Sequence, residues 1–169
     1  MANLKEIRTR ITSVESTMQI TSAMKMVSAA KLKRAQDAII QMRPYANKLT
    51  ELLVNLSASL DSSEGGGFSS ERDIKSDLLV TITSNRGLCG GFNANIIKSA
   101  VSLINNDFKE KNVSLISIGK KSSEFFKKNG YNLVNSFDDI FSDLTYDKTS
   151  IISESIMSEF LSGSYDKVV

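Results

Sequence analysis

The sequence predicts an α/β protein in two parts: a long N-terminal coiled-coil helix, then a small domain with a mainly parallel sheet. Three observations carry this expectation. Residues 4–60 hold an apolar heptad pattern, DSSEGGGFSSERD at 61–73 interrupts it with Ser, Gly and charge, and beyond that point strand-like and helix-like runs alternate. The expected division is a shaft helix over residues 1–60, a linker over 61–76 and an α/β domain over 77–169.

The heptads are regular. One seam position reads Leu4, Ile11, Met18, Lys25, Leu32, Ile39, Ala46, Leu53 and Leu60; the other reads Ile7, Val14, Thr21, Ser28, Ala35, Met42, Leu49 and Leu56. Spacings of three and four sustained this long predict a helix whose narrow seam packs on another helix. At ~1.5 Å per residue such a helix reaches roughly 85 Å, well beyond a compact domain of about 100 residues. No second heptad run of similar extent follows residue 60, so the partner helix is expected from another chain or from a part of the protein outside this sequence. Pro44 removes a backbone donor, which predicts a kink or loosened turn around residues 40–44.

The seam has one polar gap, made by Thr21, Lys25 and Ser28. It reads either as a solvated turn or as a face for a third partner, where Met24 and Met26 offer adaptable apolar contact beside Lys25. Lys31, Lys33 and Arg34 follow as an exposed basic cluster.

Charge divides the chain at the same place. Residues 1–60 carry nine Lys/Arg against four Asp/Glu, whereas residues 61–169 carry twelve against fifteen, so a basic helix is joined to a mildly acidic domain. An acidic protein surface, nucleic acid or anionic lipid would each suit the first part. No apolar run approaches the length of a membrane span and the first residues contain no signal-like stretch, which predicts a soluble or peripheral protein. One Cys excludes an intramolecular disulfide, and with no His a zinc site would need carboxylates alone.

In the second part LLVTIT (78–83) reads as a buried strand and residues 93–108 as an amphipathic helix with Asn93 as its N-cap. VSLISIG (113–119) is a second strand, SSEFFKKNG (122–130) a short helix closed by Gly130, and NLVNSF (132–137) a third strand. Residues 150–163 form a further helix, and YDKVV begins another strand. This order predicts a Rossmann-like domain with helices on both faces of a parallel sheet.

SNRGLCGGFN (84–93) follows the first strand, where such folds often hold phosphates. The pattern lacks what that chemistry requires. Phe92 and Asn93 follow the paired glycines in place of the Lys-Ser/Thr of a P-loop, and glycines at 87, 90 and 91 do not make Gly-x-Gly-x-x-Gly. The turn reads as backbone economy between strand and helix. Cys89 has no His to activate it, and Asp138, Asp139 and Asp143 read as solvated loop residues. No catalytic, metal-binding or nucleotide-binding residue is expected, and no cofactor.

KEIRTRITSVESTMQITSAMKMVSAAKLKRAQ, followed by RPYA and then by SNRGLCGGFNANI after the first strand, resembles the gamma subunit of F-type ATP synthases. The likeness spans the chain and is densest over residues 3–47 and 82–95. It implies a noncatalytic rotor shaft that couples proton or sodium ion flow in the membrane sector to ATP synthesis or hydrolysis elsewhere. It further implies contacts with three alpha and three beta subunits, the epsilon subunit and the membrane c-ring, but no nucleic acid. The family's C-terminal helix would be the seam's partner, and it lies beyond Val169. Carried over by position, Thr21, Met24, Lys25, Met26, Ser28, Lys31, Lys33, Arg34, Arg86 and Cys89 become the expected contacts to the catalytic head. A single Cys and no transit peptide point to a bacterial protein at the cytoplasmic face of the inner membrane. A nucleotide-binding α/β protein and a coiled-coil adaptor or lipid-binding helix are the alternatives. The absence of Trp and Phe from residues 1–60 weighs against lipid.

Overall fold

The computed structural model describes residues 3–59, 67–68, 72–73, 75–109 and 111–169, with the side chains of 57–59 left aside. It divides into two compact units, Met1–Asp61 and Ser62–Val169. The linker expected over residues 61–76 lies largely outside the described residues, as does Leu60 of the seam.

The first unit is one helix, α1 (Leu4–Ser59). It contains no Gly, whose backbone freedom would weaken it, and runs through Pro44 without a break. The disturbance expected at 40–44 does not interrupt the helix; what Pro44 removes is a single donor to the carbonyl one turn earlier. Thr9, Thr12, Thr17, Thr21 and Thr50 donate their hydroxyls to the carbonyls four residues back, which keeps these β-branched residues compatible with the helix. The exposed pairs Glu6–Arg10 and Lys48–Glu51 add only ~0.3–0.5 kcal/mol each. A helix with so little local support draws its stability from packing, and its apolar side chains are its means of doing so.

The second unit alternates as the sequence predicts: β1 (Ser76–Ile82), α2 (Phe92–Asn105), β2 (Asn112–Ile118), α3 (Lys120–Lys128) and β3 (Leu133–Phe137). A 3-10 turn (Ile140–Ser142), α4 (Tyr146–Leu161) and β4 (Lys167–Val168) complete it. The strands are parallel in the order β3-β2-β1-β4, with Leu79 opposite Leu115 and Asp77 opposite Lys167. The order reverses direction at β1, as in doubly wound nucleotide-binding sheets.

Strand alternation sorts the core onto two faces. Leu79 and Leu115 pack with Ala100 of α2 and Phe126 of α3 on one side, whereas Leu78 and Ile116 pack with Tyr165 and Ile156 of α4 on the other. The starts of all three helices differ from expectation, and their ends fall two or three residues early, at Asn105, Lys128 and Leu161. Asn93 is not the N-cap of α2: Gly91 holds that position and the Asn93 side chain turns back into the preceding loop. The α3 helix starts at Lys120, two residues early, because Ser122 and Ser123 are buried and bonded inside it. The α4 helix starts at Tyr146, because Thr145 accepts the Lys148 N–H as an N-cap.

Candidate functional site

Two regions carry the residues singled out in the sequence. On α1, every seam residue with a described side chain is exposed, from Leu4 through Leu56. Helical geometry sorts the expected contact residues by face at ~100° per residue. Thr21, Lys25 and Ser28 fall within about 60° of one another on the seam. Met24 and Lys31 occupy a neighbouring strip, also about 60° wide, and there they are joined by Ile20 and Val27. Ile20, Met24 and Val27 are 62%, 64% and 57% exposed, so this strip is an unburied apolar surface ending in a cation. Met26 and Lys33 lie on the far side of the helix, and Arg34 sits at the strip's outer edge. The basic cluster is thus divided among faces. Ile20 and Val27 escaped the heptad reading because they lie off the seam; their i, i+4, i+7 spacing with Met24 is the signal that finds them.

The second region is the C-terminal end of the sheet. Four hydroxyls form a buried chain there: Thr81 to Ser117 at 3.1 Å, Ser117 to Ser122 at 2.6 Å, and Ser122 to Thr83 at 2.8 Å. The four N–H groups that open α3 are all taken within the protein. Gly119 N–H goes to the Phe137 carbonyl, Lys120 N–H to Asn85 Oδ1 at 2.9 Å, Lys121 N–H to the Ser84 carbonyl, and Ser122 N–H to Thr83 Oγ1 at 3.0 Å. Asn85 also donates to the Asp138 carbonyl, and Ser123 Oγ donates to Asp138 Oδ1. Asp138 is therefore part of this brace and not a freely solvated loop residue. Asp143 instead pairs with Lys148 at 2.6 Å.

The brace supports the glycine turn. Ser84 N–H donates to Asn93 Oδ1 at 3.0 Å, while Asn93 Nδ2 reaches the Arg86 carbonyl at 3.2 Å and Cys89 Sγ at 3.1 Å. Leu88 (φ 62°) and Gly90 (φ 61°) both adopt left-handed backbone, and Arg86, Leu88 and Cys89 are all exposed. Leu88 was not singled out in the sequence. An exposed leucine carries no periodic signal there, and its left-handed conformation is a property of the turn. Among the described residues, no group of three acidic, Cys or His side chains could hold a metal ion. A phosphate arriving at the start of α3 would have to break four existing hydrogen bonds.

A family model described as ATP synthase matches residues 3–169. The chain belongs to the ATP synthase gamma family. The ATP synthase gamma chain of Christiangramia forsetii is 53% identical over 169 residues, covering all of this chain and 59% of that protein. The gamma chain of Flavobacterium johnsoniae is 55% identical over 168 residues, covering 99% and 58%. This chain thus spans about three-fifths of the length of these relatives. The rotor of the Euglena gracilis mitochondrial ATP synthase shares the fold, with a TM-score of 0.56 at 21% identity over 89% of this chain and 51% of that one. Among the described residues no helix is long and apolar enough to cross a membrane.

Proposed function

We propose that this chain works in the ATP synthase complex as the gamma rotor of the central stalk, with residues 1–60 as shaft, 61–76 as linker and 77–169 as the domain toward the membrane rotor. It turns inside the ring of three alpha and three beta subunits and makes the catalytic sites nonequivalent, coupling proton or sodium ion flow to ATP synthesis or hydrolysis. The chain itself breaks no bond. The observation that carries this reading is α1, a 56-residue helix with an exposed apolar seam and a second exposed apolar strip beside it. One helix with two apolar surfaces suits two kinds of partner. The gamma family's C-terminal helix would cover the apolar part of the seam, and the head would meet the strip and the seam's polar gap at Thr21, Lys25 and Ser28.

In this reading Thr21, Met24, Lys25, Met26, Ser28, Lys31, Lys33 and Arg34 face the head at successive rotary positions, since a turning shaft presents every side in sequence. Arg86 and Cys89 contact its lower rim from the braced turn. Apolar contact and cationic attraction toward acidic levers transmit torque. The epsilon subunit and c-ring bind the domain, at the cytoplasmic face of a bacterial inner membrane.

The test is assembly of the protein with alpha and beta subunits from its own source, following ATPase activity across a sizing column. One copy in an active complex with three of each is the expected result. Exclusion from the ring, by a protein carrying the partner helix, overturns the reading. Replacing Lys25, Lys31, Lys33 and Arg34 together by Ala separates the mechanisms: unchanged coupled synthesis removes the role of charge and leaves steric pushing.

A further inference from the structure

The turn after β1 presents an apolar side chain to water from a backbone that is costly to hold. Leu88 is wholly exposed, at 109%, and its backbone is left-handed at φ 62°. That conformation crowds Cβ against the following carbonyl, so a residue with a side chain is strained there and glycine is not. Gly87 precedes Leu88, and Gly90, two positions on, takes the same backbone at φ 61°. Within this chain glycine at position 88 would be favoured twice over, since it removes the strain and exposes no isobutyl group to water. With full exposure, the Leu88 side chain gains nothing by packing against the described residues of its own domain.

The frame around it is nevertheless closely held. Ser84 Oγ donates to the Arg86 carbonyl at 2.6 Å, and Asn93 Nδ2 donates to the same carbonyl at 3.2 Å. Asn93 Nδ2 also reaches Cys89 Sγ at 3.1 Å, and the Phe92 N–H donates to the Cys89 carbonyl at 3.4 Å. Leu88 is thus carried between two residues, Arg86 and Cys89, that are both tied to the first turn of α2. Phe92, which opens that helix, is itself 50% exposed. Arg86 is exposed, and among the described residues no carboxylate pairs with it. A leucine projecting from such a frame, beside an unpaired guanidinium, loses little conformational freedom when a partner buries it.

We infer that Leu88 is the apolar anchor of a docking surface on this turn, and that the partner is a protein face with an apolar pocket for Leu88 and a carboxylate beside it for Arg86. The inference deepens the rotor reading and rests on it: the face belongs to the rim of the alpha and beta ring, toward which that reading directs Arg86 and Cys89. Strain at an exposed position is offset only when the side chain leaves water, and for Leu88 that happens in the complex alone. The charge of Arg86 fixes the register of the contact, and the apolar anchor supplies its strength.

In the test, parent and variant proteins, each carrying the partner helix, compete for a limiting quantity of alpha and beta subunits from the same source. Mass spectrometry reads the ratio incorporated at equilibrium. Leu88→Ala and Leu88→Gly are each expected to be incorporated at least tenfold less than the parent. Leu88→Met, which keeps an apolar side chain of similar length, is expected within threefold of it. Leu88→Gly is the stricter variant: urea unfolding of the free protein should show it at least as stable as the parent, which separates lost docking from lost folding. Incorporation of both Leu88→Ala and Leu88→Gly within twofold of the parent overturns the inference, and so does an equal loss in Leu88→Met. A loss in Leu88→Gly matched by a less stable free protein would make Leu88 a folding residue and overturn it as well. Failure of the rotor reading is seen separately, as exclusion of the unsubstituted protein when no competitor is present.

Discussion

The Lys111 ammonium lies 3.6 Å from the carboxylate of Asp77, a side chain with no exposure to solvent at the first buried position of β1. Neither Asp77 oxygen has a hydrogen-bond partner, so this ion pair is the described compensation for a buried charge. Lys111 remains 28% exposed and also lies over the Phe108 ring at 5.5 Å.

Removing the cation should therefore cost more than removing both partners. Lys111→Met is expected to destabilise the domain by about 3 kcal/mol, because it leaves an uncompensated buried carboxylate. Asp77→Leu combined with Lys111→Met should return within about 1 kcal/mol of the parent. Urea unfolding of the two variants checks this. Equal destabilisation would mean that the pair is not what holds the Asp77 charge.

Two glycines that look alike in the sequence should behave oppositely. Gly119 has φ 104°, and a Cβ there would collide with the Thr83 carbonyl oxygen, whereas a Cβ on Gly87 meets nothing within 4 Å. Gly119→Ala is expected to cost at least about 4 kcal/mol or to prevent folding, and Gly87→Ala to stay within about 0.5 kcal/mol. Thermal unfolding distinguishes them directly.

Asp166 gives the domain a specific acid sensitivity. The Lys75 and Ser76 N–H groups, in that order, hold its carboxyl below the usual value, with smaller help from the charges of Arg72 and Lys75 against the opposing effect of desolvation. A lowered folded-state pKa contributes stability that is present above the unfolded-state pKa, near about 4, and is lost as pH falls through the folded value. The melting temperature of Asp166→Asn should therefore lie below that of the parent at pH 7, with the gap narrowing below about pH 4. A gap that stays constant down to pH 2 would contradict this.

The glycine turn carries a conformational cost that can be removed. Leu88→Gly relieves a side chain at φ 62° and is expected to stabilise the domain by up to about 1 kcal/mol, measured by urea unfolding. A loss of stability would show that Leu88 packs usefully where it stands.

Periodicity made the long helix and the alternating domain legible, because both depend on apolar spacing that any single chain displays. What stayed hidden depends on long-range bonding. Asn93 has the chemistry of an N-cap and sits beside a helix start, yet Ser84 and the Arg86 carbonyl engage its side chain first. Ser122 and Ser123 read as helix-opening residues, although their hydroxyls are buried in a network with partners 39 and 15 positions away. On α1, heptad arithmetic found the seam and passed over Ile20 and Val27, because a second strip at a different angle is invisible to a single-period template. Phe68 and Arg72 fall in a stretch whose composition suggests a free linker, and only their contacts to Phe160 show that these two residues are held.

The closed brace at the end of the sheet has a mechanical consequence. Strand β1, the turn that follows it and the start of α3 share bonds at Thr83, Ser84 and Asn85, so none of the three can be displaced without straining the others. Such a truss is stiff: its elastic compliance is small, and it dissipates little of the work done on it. Deformation under force would then concentrate where bonds are sparse, along a solvent-exposed helix such as α1.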